Sequence, residues 1–247
     1  MKSVIKITLA SLALYVLFLI WHLPANVVLE KVALPKSITL NGISGTIWQG
    51  HIQQLVMDGI AIDDVDWQLE VLPLLMAQVS VDINAGNSRN SEDISFNGHL
   101  QFTGNTIALH DTQVYVPADM LLAQIKLPLP IAAKGRFSIN IQQLDYPQKC
   151  QQLAGKGQWL KAQVSGTQGP IELGNFAANL SCKNDDVAIT IQPDNSFGID
   201  ATVLVKPNGK YAAEGKFKPA SSLPQEVHQA AAFFGRKDAQ GFYTIKF

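Results

Sequence analysis

Five histidines, two cysteines and one dense run of aspartates are the residues in this 247-residue chain whose types could do chemistry. His22, His51, His99, His110 and His228 stand far apart. None belongs to an H-E-x-x-H helix, and the chain has no G-x-S-x-G elbow and no C-x-x-C pair. His110-Asp111 supplies two members of a hydrolytic triad, but nothing in the sequence marks a serine partner. His99 falls on the polar phase of an alternating segment, which places it in solvent. Asp63, Asp64 and Asp66 could bind a cation, yet the spacing of a calcium loop is absent. They read as a solvated turn beside Trp67. The glycine-rich stretch Leu40–Gly50 does not end in Gly-Lys-Ser/Thr, nor is its spacing G-x-G-x-x-G, so it is no phosphate cradle. No catalytic residue, cofactor, metal or small-molecule substrate is therefore expected. The 19 Lys and Arg are scattered against 20 Asp and Glu, and nucleic acid would need a basic stripe.

The elements that must position these residues begin with an oily segment. Lys2 and Lys6 flank a run from Ile7 to Leu23 that contains no Asp, Glu, Lys or Arg. A helix of about 17–20 residues is just long enough to cross a bilayer. A helix is also the only single-pass solution, because it satisfies its own backbone amides. No A-x-A site follows, so the run reads as a retained anchor over residues 7–24, with Trp21 at the interface. The basic residues precede it. Residues 1–6 are therefore expected in the cytoplasm and residues 25–247 on the far side. Cys150 and Cys182 both lie beyond the anchor. An even count in an oxidising compartment reads as one disulfide, and the alternative is two unpaired buried thiols.

Past Pro24 the pattern has a period of two. Ile94, Phe96, Leu100 and Phe102 alternate with Ser95, Asn97, His99 and Gln101. Ile131, Ala133, Phe137, Ile139 and Ile141 repeat the theme, as do Val187–Ile191, Phe197–Val205 and Tyr211–Phe217. Such alternation is the mark of a half-buried antiparallel strand. Asn41-Gly42, Asp58-Gly59, Gly86-Asn87 and Asn208-Gly209 punctuate the runs as turns. Ser88 to Asp93 reads as a polar loop. Two short helices are expected, one from Pro117 to Ala123 and one from Ser221 to Phe234, with Gly235 as its stop. The fold class is mainly β: a single transmembrane helix, then a curved or rolled antiparallel sheet. A seam near 127–130, at Leu127-Pro128-Leu129-Pro130, could divide the sheet in two. A rolled sheet could also leave an apolar groove lined by Phe96, Leu100, Phe137 and Ile139.

The most specific local pattern is L-x-G-x-x-G-T-x-W-x-G, carried by Leu40, Gly42, Gly45, Thr46, Trp48 and Gly50. On its residues alone it is a turn feeding a short strand, with Trp48 packed on a neighbour. Placed just after an N-terminal anchor, it resembles the signature of the type II secretion system protein N family. Other pieces agree in order. Val65-Asp66-Trp67-Gln68-Leu69 leads to Pro73-Leu74-Leu75, and Cys150-Gln151 precedes Leu153 to Trp159. Cys182, Gly209-Lys210-Tyr211 and the closing Gly241 to Ile245 follow. The resemblance implies an accessory, non-enzymatic component of the machine that exports folded proteins across the outer membrane. It also implies an inner-membrane location facing the periplasm, with the inner-membrane platform proteins and the secretin as partners. It offers no catalytic residues, and the motif residues, Trp67 included, would maintain the fold or dock partners. Trp67 to Leu75 also resembles part of the AsmA- and TamB-like envelope proteins, which implies lipid handling in an apolar groove as an alternative.

Overall fold

The structure is a computed structural model that describes residues 2–31, 34–123, 132–167 and 169–247. The expected seam at 127–130, and Ile131 with it, lies outside the described residues. Helix α1 spans Lys2–Trp21. Twenty residues at 1.5 Å each give about 30 Å, the thickness of a hydrocarbon core. No residue of its Val4–Trp21 window is buried by the rest of the protein, so this apolar surface has no protein core to enter. The helix stops three residues before Pro24, whose ring disfavours helical geometry in the residue ahead of it. A short helix α2, Ala25–Leu29, then leads towards the sheet.

Thirteen antiparallel strands follow in strict sequence order, each paired with its predecessor. They are β1 Ile38–Gly45, β2 Gln49–Met57, β3 Ile60–Leu69, β4 Val79–Ala85, β5 Ser95–Thr103, β6 Thr106–Pro117 and β7 Ala133–Tyr146. The series continues with β8 Gln152–Gly166, β9 Gly169–Lys183, β10 Asp186–Ile191, β11 Asp200–Val205, β12 Tyr211–Phe217 and β13 Tyr243–Lys246. The sheet does not close, so β1 and β13 are its edges. Strands β6 and β7 pair from Ile107↔Tyr146 to Pro117↔Arg136, on both sides of the connector that joins them. Three further helices sit in the connections: α3 Val71–Leu74, α4 Ala118–Ala123 and α5 Gln225–Ala231. A 3-10 turn, Ala232–Phe234, extends α5, and Gly235 ends it at φ 113°. The two helices expected from sequence are thus α4 and α5.

Register places the apolar phases of all the strands on one face. Phe96 pairs with Val114 and Val114 with Ile139. Phe137 pairs with Trp159 and Trp159 with Phe176, and the three rings stack at 5.4 and 5.5 Å. No second sheet covers this face among the described residues. The surface reflects that: 16153 Å² is exposed, against roughly 10,800 Å² for a compact chain of this mass. Burial concentrates in three clusters, one across β1 to β5 and two around α5, the second of these formed by Phe217, Ala231 and Tyr243. Ile52, Val65 and Ala85 gather Leu40, Ile43, Leu55, Ile62 and Phe96 around them. At the other extreme, Val227 of α5 packs on Ala162, Ile171, Leu173 and Phe176. Glu226 fastens that helix by accepting from the backbone N–H and the hydroxyl of Thr167, at 2.8 and 2.7 Å. These two bonds hold its carboxyl below the ordinary range.

The first cluster departs from period two. Leu40 and Ile43, Ile52 and Leu55, and Ile62 and Val65 are each three residues apart, yet all face inward together. The cause is a crease across the strands. Gly42 sits at φ 68° and Asp64 at φ 52°, a left-handed conformation that exchanges the faces of the sheet as a bulge does. The aspartate cluster is therefore not a turn. Asp63 and Asp66 lie within β3 and bond to Gln54 and His51, each at 2.9 Å. Residues Phe197 to Ile199 also leave the expected strand: their amides fold over Asn195, whose Oδ1 accepts from both. The polar loop Ser88 to Asp93 is held by Arg136, which donates to the carbonyls of Ser88 and Asp93.

Cys150 and Cys182 form a disulfide across a separation of 32 residues, tying the start of β8 to the end of β9. Replacing both with serine is expected to lower unfolding free energy by about 3–4 kcal/mol in the chain-entropy view. Urea unfolding of the oxidised and double-serine chains would measure it, and equal midpoints would contradict it.

Candidate functional site

Of the chemistry-bearing residues, His228 lies on α5 and the cysteines are in the disulfide, while His51, His99, His110 and Asp66 gather towards the end of the sheet where α1 arrives. Strand β1 ends there and β2 begins there, joined by the turn that carries the motif. Gly45 is at φ 86°, and a side chain on it would collide with the carbonyl of Gln49. Thr46 donates its N–H to that carbonyl at 2.9 Å, and its hydroxyl accepts from Gln49 N–H at 3.3 Å. Two links run from this turn to the helix. Ile47 N–H donates to Leu23 at 3.1 Å, and the Trp48 indole N–H donates to the carbonyl of Ile20 at 3.0 Å. That carbonyl also accepts from Leu23 N–H at 3.3 Å, so Trp48 adds a second and shorter bond at the helix end, where internal pairing thins out. Its ring also stacks on Trp21 with centroids 6.1 Å apart.

The next row repeats the logic. Trp67 on β3 donates its indole N–H to Ile47 at 3.2 Å, and its ring lies over Gly50. Leu69 N–H closes the row on the carbonyl of Trp48 at 2.7 Å. Gly45, Thr46, Trp48, Gly50 and Trp67 thus surround one hairpin at the foot of the sheet beside α1, while Leu40 and Gly42 lie further along β1, Leu40 in the first apolar cluster and Gly42 at its crease.

Beside this junction lies a polar network that the sequence did not announce. Ser80, Asp82 and Asn84 of β4 face Gln101, His99 and Asn97 of β5 across the register. His99 Nδ1 donates to Asp82 at 2.8 Å. Its Nε2 lies 3.0 Å from the Ser80 hydroxyl and 3.0 Å from the amide of Gln101. Serine, histidine and aspartate therefore stand in the order of a hydrolytic triad. Two observations give them another role. Ser80 is fully buried, so no substrate reaches its oxygen. Its proton also goes to Glu70 Oε2 at 2.8 Å rather than to the imidazole. His99, expected in solvent, is a half-buried bridge between neighbouring strands, and the signal for it was the alternation of polar residues on both strands.

The three groups Glu70, Asp82 and His99 place donor atoms within 4.8 Å of one another, a set that could close on a divalent cation. Each is already engaged by a neighbouring side chain, and the carboxylates are exposed. A cavity of about 540 Å³ opens alongside, lined by Asp66, Gln68, Asp82, Asn97, His99 and His110. His51 and His99 each pair with an aspartate there, and His110 lies 6.3 Å from His99, ring to ring. His110-Asp111 meets no serine: Asp111 is at φ 44°, a crease in β6.

The sheet that carries these rows matches, over residues 36–246, the sequence profile of the family described as Type II secretion system (T2SS), protein N. The chain belongs to that family. It is 28% identical over 230 residues to the type II secretion system protein N of Vibrio cholerae serotype O1, covering 91% of this chain and 89% of the relative. It is 25% identical to that of Aeromonas hydrophila, over 100% of this chain and 98% of the relative. With that of Pectobacterium carotovorum subsp. carotovorum the figures are 27%, 100% and 97%. No solved structure matches the chain. The profile begins two residues before β1, so the protein N sheet, from the motif hairpin to β13, is what the family shares.

Two substitutions test the geometry. A Cβ at Gly50 would fall inside the indole of Trp67. Gly50→Ala is expected to cost roughly 1–3 kcal/mol through overpacking and to shift tryptophan emission. Ser80→Ala removes the buried link between Glu70 and His99 and is expected to cost about 1–2 kcal/mol in urea unfolding. An unchanged midpoint in either variant would show that the contact carries no stability.

Proposed function

We propose that this protein is a structural, non-enzymatic subunit of the type II secretion machine. The observation that carries this reading is the family match across the whole sheet, residues 36–246. Residues 1–6 lie in the cytoplasm, residues 7–24 form the inner-membrane span, and residues 25–247 occupy the periplasm. Lys2 and Lys6 before the span support that orientation, and the Cys150–Cys182 disulfide suits an oxidising compartment. The contacts of Trp48 with Ile20 and Trp21 support a retained helix, because cleavage after it would strip the sheet of both.

The partners in this reading are the inner-membrane platform proteins and the periplasmic part of the secretin. The sheet offers them two unclosed edges, β1 and β13, whose free N–H and C=O groups are ready to pair with a further strand. Leu40, Gly42, Gly45, Thr46, Trp48, Gly50 and Trp67 set the angle at which the sheet stands on the membrane, and so the height at which those edges are presented. The apolar phase through Phe96, Leu100, Phe137 and Ile139 is the surface that a lipid-handling protein would use. The named relatives are all secretion proteins, and none of them supports that alternative.

Deleting the gene in its own organism is expected to lower the amount of secreted exoprotein in the medium, with the missing exoprotein retained in the periplasm. Restoring the wild-type gene should reverse the loss, and Trp48→Ala should restore it only in part. Undiminished secretion after deletion would remove the reading.

A further inference from the structure

We infer that the connection between β3 and β4 is a second membrane contact, an apolar finger that dips into the bilayer beside α1. The inference rests on α1 being a membrane span. The finger comprises α3 and the residues that follow it, Val71-Leu72-Pro73-Leu74-Leu75-Met76, and it contains no charged residue. Leu72, Leu75 and Met76 are 78%, 81% and 79% exposed. Their i, i+3, i+4 spacing sets them on one face of the turn, while Pro73 and Leu74 face inward, half-buried. Water is a poor environment for three such side chains side by side.

Position identifies the occupant. Leu69, three residues before Leu72, is bonded to the carbonyl of Trp48, and the Trp48 indole is bonded to Ile20 in the last turn of α1. The finger therefore projects from the same end of the sheet at which the membrane helix leaves the bilayer. The neighbouring strand ends continue its surface. Val79, Phe102 and Ile107 are paired across β4, β5 and β6 and are all exposed.

Two further properties suit a lipid environment. The second half of the finger satisfies its own amides: those of Leu75, Met76, Ala77 and Gln78 donate to the carbonyls of Leu72, Pro73, Leu74 and Pro73, and Pro73 carries none. Unpaired amides would otherwise oppose entry. Its base is also rigid. Glu70 N–H donates to the carbonyl of Ser80 at 2.9 Å, Glu70 accepts from the Ser80 hydroxyl, and Gln78 donates to Gln101 at 3.1 Å. The triad-like network holds the two ends of the finger together.

The test uses the full chain, reconstituted in vesicles of phosphatidylethanolamine and phosphatidylglycerol. Both native cysteines are in the disulfide, so a single added thiol accepts an environment-sensitive dye. Leu75→Cys and Leu72→Cys are labelled separately. Phe233→Cys is the control, since Phe233 is equally exposed at 78% but lies at the opposite end of the sheet. Leu14→Cys, inside α1, reports the span itself. Labels at 72 and 75 are expected to emit as in an apolar medium. Lipid spin-labelled near the headgroup should quench them, as fits side chains about 5–10 Å into the boundary. The label at 233 should remain aqueous. Aqueous emission at both 72 and 75 overturns the finger. So does shielding without lipid quenching, which would mean a protein neighbour or a second copy. Aqueous emission at 14 as well would instead overturn the membrane span.

Discussion

An indole hydrogen bond is the side-chain link between helix α1 and the sheet, beside the backbone bond from Ile47 to Leu23. The carbonyl of Ile20 lies in the last turn of α1, where its internal bond from Leu23 N–H is long, at 3.3 Å, and leaves it able to take a second donor. Trp48 supplies that donor from the hairpin between β1 and β2, at 3.0 Å, and stacks its ring on Trp21. A carbonyl oxygen has two lone pairs, and the shorter indole bond fills the second. Satisfying it from the sheet couples the direction of the helix to the direction of the first strands. The glycines around Trp48 follow from this: Gly45 turns the chain where a side chain would strike backbone, and Gly50 leaves room for the indole of Trp67.

From that foot the sheet grows by the simplest topology available, each strand pairing with the one before it. Local pairing needs no crossover helices, and it leaves a single layer with one apolar face. A layer of this kind cannot bury its face against a second sheet. It bends instead, through left-handed residues such as Gly42 and Asp64, and it gathers its burial in the three clusters where side chains from several strands meet. Helix α5 closes two of these and the creased strands β1 to β5 form the other. The long middle stays half-buried, and together with the uncovered α1 it accounts for an exposed area so far above that of a compact chain.

The cluster around Ser80 illustrates how geometry can mimic chemistry. The serine, histidine and aspartate follow the order of a proton relay, yet the hydroxyl is sealed from solvent and points at Glu70. The same hydrogen bonds serve well as a clamp, because they cross from β4 to β5 and bind the start of α3 to the start of β4. Strength of this kind next to an exposed apolar turn makes physical sense: the turn has few contacts of its own and depends on its base for shape.

Much of this was legible in the residues. The oily run announced its helix, whose length and lack of charge fit a single-pass membrane protein. Period-two alternation around Phe96 and Phe137 announced strands, since successive side chains of an uncreased strand point to opposite faces. Cys150 and Cys182 implied their bond by number and by following the anchor. The aspartates misled, because a left-handed residue inside a strand and one in a turn have the same composition. His99 misled because the polar phase of a strand points to solvent only where the neighbouring strand offers nothing to bind, and here Asp82, Ser80 and Gln101 meet it. Local pattern thus determined the elements, their order and the faces of the uncreased strands. Only tertiary structure decided that Trp48 bonds to the last turn of α1, that the ends of β3 and β4 stand beside that turn, and that polar side chains far apart in sequence close into one network. Those facts depend on register and on the creases of the sheet, which no short window of sequence contains.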